Sequence, residues 1–452
     1  MKSKIIKIKR GLNIRLRGNA EKIIIKSSHA GLYGVKPPDF HGLIPKLDVS
    51  VGQEVKAGTA LFHDKHRPEI RFASPVSGVV KSVNRGERRR ILEVVVERTG
   101  DDIRYESFAR GNPLDMTKDE VTANLLNSGL WPAVRQRPYD IIANPGDNPK
   151  AIFVSAFDTA PLAPDYDFIV RESETEFQTG INALTKLTTG KIHLNISAEY
   201  PASKVFTGAN NVQLNLFTGP HPAGNVGIQI HHIDPINKGD VIWYLSPQDI
   251  ISIGRLFLNG VYDPSKIIAL TGSEVLNPRY FKLISGSSIS NIVMDNITEE
   301  CPRYISGNVL TGKKIQHDGY LGYYDSQITV IPEGFHHEFL GWAMPGLNKY
   351  STSRTFWSWL APGKKYRLDT NLNGGRRSLI ITGQYEKVLP MDIYPMQLIK
   401  AILVEDIDLM ENLGIYEVAP EDFALCEFVC VSKTEIQKVI RDGLDLMIKE
   451  MS

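Results

Sequence analysis

The chain has 452 residues, 42% of them hydrophobic and 23% charged, the make-up of a globular protein with several cores rather than a disordered or fibrous one. A formal net charge of +1 argues against a general nucleic-acid or polyanion binder and leaves room only for a local basic patch. Three cysteines, Cys301, Cys426 and Cys430, are too few for a disulfide framework and fit a reducing compartment.

The opening M-K-S-K-I-I-K-I-K-R-G alternates bases with isoleucine, has no apolar run of leader length behind it, and reads as a strand. Residues 1–110 are expected to form a β domain, because β-branched runs at 22–26, 79–83 and 91–97 are separated by Gly, Pro and Asn. Within it, D-V-S-V-G-Q-E-V-K-A-G-T-A-L-F at 48–62 and S-P-V-S-G-V-V-K-S-V at 74–83 place Gly-centred turns ahead of a Pro-x-x-Gly turn. That pattern resembles the barrel-sandwich of biotinyl/lipoyl carrier domains. Lys65 is the candidate modified lysine, but it stands ten residues before Pro75 with Pro68 between, and no Met-Lys-Met surrounds it. The domain is therefore read as a carrier-like scaffold.

Residues 111–258 alternate helical and extended patterns. A helix is expected over 117–129 with a Gly stop, strands at 140–143, 151–155 and 168–170, a helix over 174–188 and a strand at 191–196. This βα alternation implies a Rossmann-like, mostly parallel sheet. Residues 259–330, with β segments at 266–271 and 307–314, are expected to form a small β-grasp-like (SLBB) domain. Residues 331–452 are mixed and end in helices. One is expected over 397–414, where Leu398, Ile399, Ile402, Leu403, Leu409, Met410 and Leu413 share a face. A capping box of Ser432 and Glu435 is expected ahead of another helix. No segment has the roughly 20 apolar residues of a membrane span; the longest stretch without charge, 205–233, is broken by six Gly and Pro residues.

Five motifs, I-K-R-G-L-N-I-R-L-R-G at 8–18, G-P-H-P-A-G at 219–224, H-H-I-D-P at 231–235, S-G-N-V-L-T-G at 306–312 and G-G-R-R at 374–377, resemble in content and order the A-subunit family of Na+-translocating NADH:quinone oxidoreductases. The resemblance implies a peripheral protein on the cytoplasmic face of the bacterial inner membrane, held by integral membrane and other subunits of a complex that oxidises NADH, reduces ubiquinone and exports Na+. The domain order is also similar to the C subunit of the Rnf complex and to the flavoprotein subunit of complex I. A stand-alone NADH-dependent flavin and iron–sulfur protein of the Rnf C type is thus the rival reading.

Those cofactor-carrying relatives have a Gly-rich phosphate loop, whose open backbone N–H groups receive FMN or NADH. The corresponding stretch here is S-G-L-W-P-A-V-R-Q-R-P-Y at 128–139. It keeps one Gly, puts Trp131 where the phosphate would lie, and loses N–H donors at Pro132 and Pro138. Arg135 and Arg137 remain as phosphate ligands or, more ordinarily, ion-pair partners. Ferredoxin-like modules use C-x2-C-x2-C-x3-C-P; 419–431 keeps only Cys426 and Cys430, with Pro420 and Phe423 at the other ligand positions. This module is read as a degenerate, ferredoxin-derived helical domain with a vestigial cluster motif and no metal. The resemblance then implies that this chain binds no cofactor and that NADH, quinone, flavins and iron–sulfur centres act elsewhere in the complex. No catalytic residue is assigned.

His221, His231, His232, His317, His336 and His337 lack metal-ligand spacing and are read as hydrogen-bonding residues, the adjacent pairs facing opposite ways if they lie in strands. Quinone binding wants a donor beside an apolar slot. Its candidates are His221, His231, His232, Phe356, Trp357 and Trp359, with core packing as the ordinary role of the three aromatics.

Overall fold

The computed structural model describes residues 5–26, 30–100, 102–298, 301–335 and 338–451. His336 and His337 lie outside the described residues.

Alternating apolar and polar residues pair Gly78–Arg85 antiparallel with Ile91–Arg98, with Leu32–Val35 and Glu54–Val55 at the two edges. A second, three-stranded sheet, Pro45–Leu47, Ala60–Asp64 and Arg71–Ala73, completes the barrel-sandwich around buried Tyr33, Leu61, Phe62, Phe72, Val80 and Val94. Lys65 is exposed at the turn that follows Ala60–Asp64. The opening strand behaves differently from expectation. Ile5–Lys7 leaves this domain to pair in parallel with Gln213–Thr218, and Glu21–Lys26 pairs with Arg279–Ile284. Residues 5–26 thus contribute one strand to each of two other sheets.

The central sheet has seven strands in the order Ile5–Lys7, Gln213–Thr218, Lys191–Ser197, Ala151–Ser155, Ile242–Leu245, Arg135–Arg137, Ile141–Ile142. The first five are parallel, and the last two pairings are antiparallel. Chain order reverses beside Ala151–Ser155, which is where doubly wound sheets open a crevice at the strands' carboxyl ends. Both faces are covered, which explains the unbroken A-I-F-V run. Ile152 and Val154 pack in the core that includes residues of helices Lys118–Ser128, Glu174–Leu187 and Pro247–Asn259. Ala151 and Phe153 face the other way, into a core shared with helix Val226–Ile233 and the C-terminal helices Pro395–Leu403, Ala424–Val429 and Ile436–Met451. A mixed six-stranded sheet in the order Lys313–Ile315, Pro302–Ser306, Gln327–Pro332, Ser265–Thr271, Arg279–Ile284, Glu21–Lys26 forms the third layer.

Several local expectations fail for identifiable reasons. Residues 168–170 belong to helix Tyr166–Val170, because Asp165 accepts the Phe168 N–H at 3.1 Å and caps a turn that β-branched content had disguised. The single helix over 397–414 is two, Pro395–Leu403 and Ile407–Asn412, broken where Glu405 takes φ 56° and Asp406 caps the second by accepting from Leu409 at 3.0 Å. The Ser432–Glu435 box does not form. Ser432 donates to Ser378 O at 2.9 Å and Glu435 pairs with Arg376, so the helix starts at Ile436. Among the described residues, no helix is long and apolar enough to cross a membrane.

Candidate functional site: the seam between the parallel sheet and the C-terminal helices

The motif at 8–18 and the motif at 219–224, two hundred residues apart, form one unit. Ile8 N–H donates to Thr218 O at 2.8 Å, Leu12 N–H to His221 O at 2.8 Å, and His221 N–H to Asn13 Oδ1 at 2.9 Å. Gly11, with φ 144°, is required here: a Cβ at that position would lie 2.1 Å from His221 O.

From that loop a polar network runs across the carboxyl ends of the parallel strands. Thr159 Oγ1 accepts from Gly224 N–H at 2.9 Å and contacts His221 Nδ1 at 3.1 Å. Ser155 Oγ donates to Gly224 O at 2.9 Å and accepts from Gln229 Nε2 at 2.8 Å; Gln229 Oε1 in turn accepts from Asn195, and Asn195 Oδ1 from Asn215, each at 2.8 Å. The Thr159 hydroxyl, which has one proton and two lone pairs, can serve Gly224 and either tautomer of His221 at once. Burial lowers the His221 pKa to about 4, so the ring is neutral at pH 7.

His231 and His232 lie on helix Val226–Ile233 and not on a strand, with ring centroids 5.2 Å apart. His231 Nε2 accepts the Asp392 N–H at 3.0 Å, which leaves its Nδ1 to donate to Glu417 Oε2 at 2.7 Å. His232 Nδ1 donates to Ile228 O at 2.9 Å. His231 thus ties its helix to the C-terminal segment, while His232 bonds within its own helix. His317 is exposed beside Asp318.

The stretch corresponding to a phosphate loop is filled by its own side chains. Trp131 is fully buried, donates Nε1–H to Ala143 O at 2.8 Å, and meets Trp243 edge-on with centroids 5.5 Å apart. Arg137 is 0% exposed and committed to the C-terminal domain, donating to Glu421 Oε1 at 2.7 Å and Asp422 Oδ2 at 3.1 Å. Arg135 sits between the rings of Tyr244 and Tyr324, 4.5 Å from each centroid, with Asp140 3.6 Å away. Arg441 donates to Tyr139 O at 2.6 Å and to Asp140 Oδ2 at 3.3 Å, closing the group. Burial raises the Asp140 carboxyl, but Arg135, Arg137 and Arg441 outweigh it and hold the pKa below the ordinary value. Burial pushes Asp422 up against the pull of Arg137. Two atoms of this pair, Arg137 Nε and Asp422 Oδ1, make no hydrogen bond.

Sequence reading found Arg135 and Arg137 but missed Asp140, Tyr244, Glu421, Asp422 and Arg441. The adjacent acids in A-P-E-D-F were a signal, since a buried acidic pair demands a cation, but nothing local says which one.

Cys426 lies in helix Ala424–Val429 and Cys430 at its end; both are buried, while Cys301 is exposed. Cys430 Sγ receives Tyr385 O–H at 2.9 Å and Thr434 N–H at 3.4 Å. Burial pushes the Cys426 thiol well up, opposite to what a thiolate ligand needs. With Pro420 and buried Phe423 at the other ligand positions, these residues do not fit an iron–sulfur cluster, and the filled loop does not fit a flavin or nicotinamide phosphate. Among the described residues, no group of three or more His, Cys, Asp or Glu side chains assembles as a metal site.

The aromatic trio lies apart from His231 and His232. Trp357 and Trp359 are 59% and 48% exposed, so core packing is not their role. Trp359 lines a cavity of about 240 Å³ with Asn13, Arg15, Tyr350, Lys364 and Tyr366. Asn13, which receives the His221 N–H, is the residue common to that cavity and the seam.

Barrel-sandwich, doubly wound sheet and C-terminal helices held by a buried ion pair define a multi-domain protein of mixed α/β and β architecture. Three family descriptions match in chain order: the NqrA N-terminal barrel-sandwich hybrid domain over residues 6–99, the NqrA second alpha/beta domain over 116–262 and the NQRA C-terminal domain over 267–317. The chain is 38% identical over 454 residues to the A subunit of the Na(+)-translocating NADH-quinone reductase of Hahella chejuensis, covering 99% of this chain and 100% of that one. The same identity and coverage hold for the subunits of that name from Pasteurella multocida and Neisseria meningitidis. The chain belongs to this A-subunit family, NqrA, of the Na(+)-translocating NADH-quinone reductases. Among solved structures, an NAD+-reducing nickel–iron hydrogenase is similar at a TM-score of 0.40 and 11% identity over 77% of this chain and 67% of that one.

Proposed function

We propose that this chain is a peripheral subunit of an Na+-translocating NADH:quinone reductase, the oxidoreductase complex for which its relatives are named, and that it acts without a cofactor of its own. It serves as a docking scaffold on the cytoplasmic face of the bacterial inner membrane, bound to integral membrane and other subunits whose flavins and iron–sulfur centres carry the electrons. The observation that carries this reading is the loss of both cofactor seats to packing: Trp131 and Arg137 are bonded within the protein, and Cys426 and Cys430 are joined by Pro420 and Phe423 rather than by thiols. The C-terminal helices are read as a ferredoxin-derived module that now serves as an interface.

A quinone-facing role is centred on His221, a buried neutral imidazole, with Trp359 beside the cavity that Asn13 shares. His231, His232, Phe356 and Trp357 are secondary candidates. Purified full-length chain should show no stoichiometric flavin or iron–sulfur absorbance, and it should co-purify from solubilised membranes with Na+-dependent NADH:quinone reductase activity. Stoichiometric bands would instead favour the stand-alone Rnf C type of electron carrier; absence from the active complex would remove the subunit role. An unmodified intact mass would keep Lys65 a scaffold residue.

A further inference from the structure

The strongest unassigned feature is the irregular segment 339–368. It contains Lys349, Arg354, Lys364, Lys365 and Arg367 and no acidic residue, in a chain whose net charge is only +1. It also exposes large apolar side chains that water disfavours: Phe339 is 88% exposed, Trp342 77%, Leu360 63% and Trp357 59%. Large apolar side chains exposed together on one segment mark a contact surface.

The segment is ordered by its own contacts. Lys349 Nζ donates to Gly341 O at 2.7 Å and lies over the Phe356 ring, Trp357 N–H donates to Pro345 O at 2.8 Å, and Lys364 Nζ donates to Leu347 O at 2.6 Å. It is seated on the body of the protein by Tyr350, which packs on Tyr366 and Phe428. The N-terminal segment then adds charge to the same face. Ile14 and Leu16 turn inward while Arg15 and Arg17 stay exposed. Arg15 donates to Pro362 O, Arg17 to Lys365 O at 3.2 Å, and Lys365 to Asn19 at 3.3 Å. Arg354 lies over Trp359.

Not every base is available. Arg367 is taken by Glu274 and Lys349 by Glu338. Arg15, Arg17, Arg354 and Lys365 make no salt bridge to a carboxylate among those found in the described residues, so their charge is uncompensated.

We infer that this face, built from Arg15, Arg17, Arg354 and Lys365 around exposed Phe339, Trp342 and Trp357, rests directly on an anionic lipid bilayer surface. Tryptophan belongs at headgroup depth, where its ring is apolar and its N–H stays wet, and bases beside it are drawn to anionic lipid. Rings and bases are interspersed along this one loop, which places charge for headgroups beside each apolar side chain. The inference goes beyond the docking role proposed above, because it assigns the surface contacted to lipid.

The test uses the full chain with vesicles of phosphatidylglycerol and phosphatidylcholine, against phosphatidylcholine alone. The chain should sediment with the anionic vesicles at about 50 mM salt and release at about 500 mM, where charges are screened. Of its five tryptophans, Trp131 and Trp243 are fully buried, so brominated acyl chains should quench only the emission of Trp342, Trp357 and Trp359. The R15Q/R17Q/R354Q/K365Q variant should bind on the order of 100- to 1,000-fold more weakly, about fivefold per charge, and W342A/W357A should leave only the quenching due to Trp359. These side chains are exposed, and an unchanged thermal transition verifies folding. Failure of the wild-type chain to bind anionic vesicles, or binding indifferent to salt and to charge removal, overturns the inference. If such a chain still co-purifies with the membrane complex, the docking role stands and the face contacts protein.

Discussion

Arg137 and Asp422 lie 285 residues apart in the chain and 3.1 Å apart in space, with neither side chain exposed. One comes from the antiparallel edge of the central sheet and the other from the turn before helix Ala424–Val429, so the pair locks the C-terminal helices onto the sheet. Removing one partner strands the other's charge out of water. D422A is expected to cost about 3–5 kcal/mol in denaturant unfolding, whereas R137M/D422L, which leaves no orphan, should cost less than either single change. E421Q should cost about 1 kcal/mol or less, because the Glu421 side chain is 32% exposed.

Helix Val226–Ile233 approaches that pair so closely that residue 227 has room only for hydrogen. A Cβ there would stand 2.5 Å from Asp422 Oδ2 and 2.6 Å from Oδ1. Replacing a helical Gly by Ala ordinarily gains about 0.5–1 kcal/mol. G227A should instead lose roughly 1–3 kcal/mol by displacing the carboxylate. A raised thermal midpoint for G227A would show that the carboxylate does not sit there.

Burial lowers the pKa of both His193 and His221 from 6.5 to about 4. Above pH 6.5 both rings are neutral whether the chain is folded or not. As the pH falls from 6.5 to about 4, the unfolded chain takes up a proton at each and the folded chain does not, so stability declines through that window. The loss is roughly 3 kcal/mol per histidine. The histidine contribution should lower urea midpoints from pH 7.5 to 4, and H221Q should make the pH dependence shallower than in the parent chain; an unchanged slope would place His221 in contact with solvent.

The three cysteines should separate by reactivity. Cys301 is exposed, while Cys426 and Cys430 are buried. A thiol reagent at pH 8 should titrate one group rapidly in the native chain and three in denaturant. Rapid native reaction of two or more groups would show that helix Ala424–Val429 opens readily.

The barrel-sandwich, the helix Lys118–Ser128 between Thr117 and Gly129, and the parallel strands Ala151–Ser155 and Lys191–Ser197 were legible in the sequence, because alternation, capping and glycine stops act over a few neighbouring residues. Comparison with the cofactor motifs of resembling families singled out Trp131 in the loop and the missing thiols around Cys426 and Cys430. Local logic misled at residues 168–170, at Glu405 and at Ser432, where a cap, a left-handed residue or a distant carbonyl decided the conformation. Spacing could not reveal that Arg137 belongs to Glu421 and Asp422, that His231 spans Glu417 and the Asp392 amide, or that Trp357 faces outward. A buried charge needs a partner whatever its place in the chain, and an aromatic ring is core or surface according to what covers it. Both depend on which distant segments meet, and only the folded chain brings those segments together.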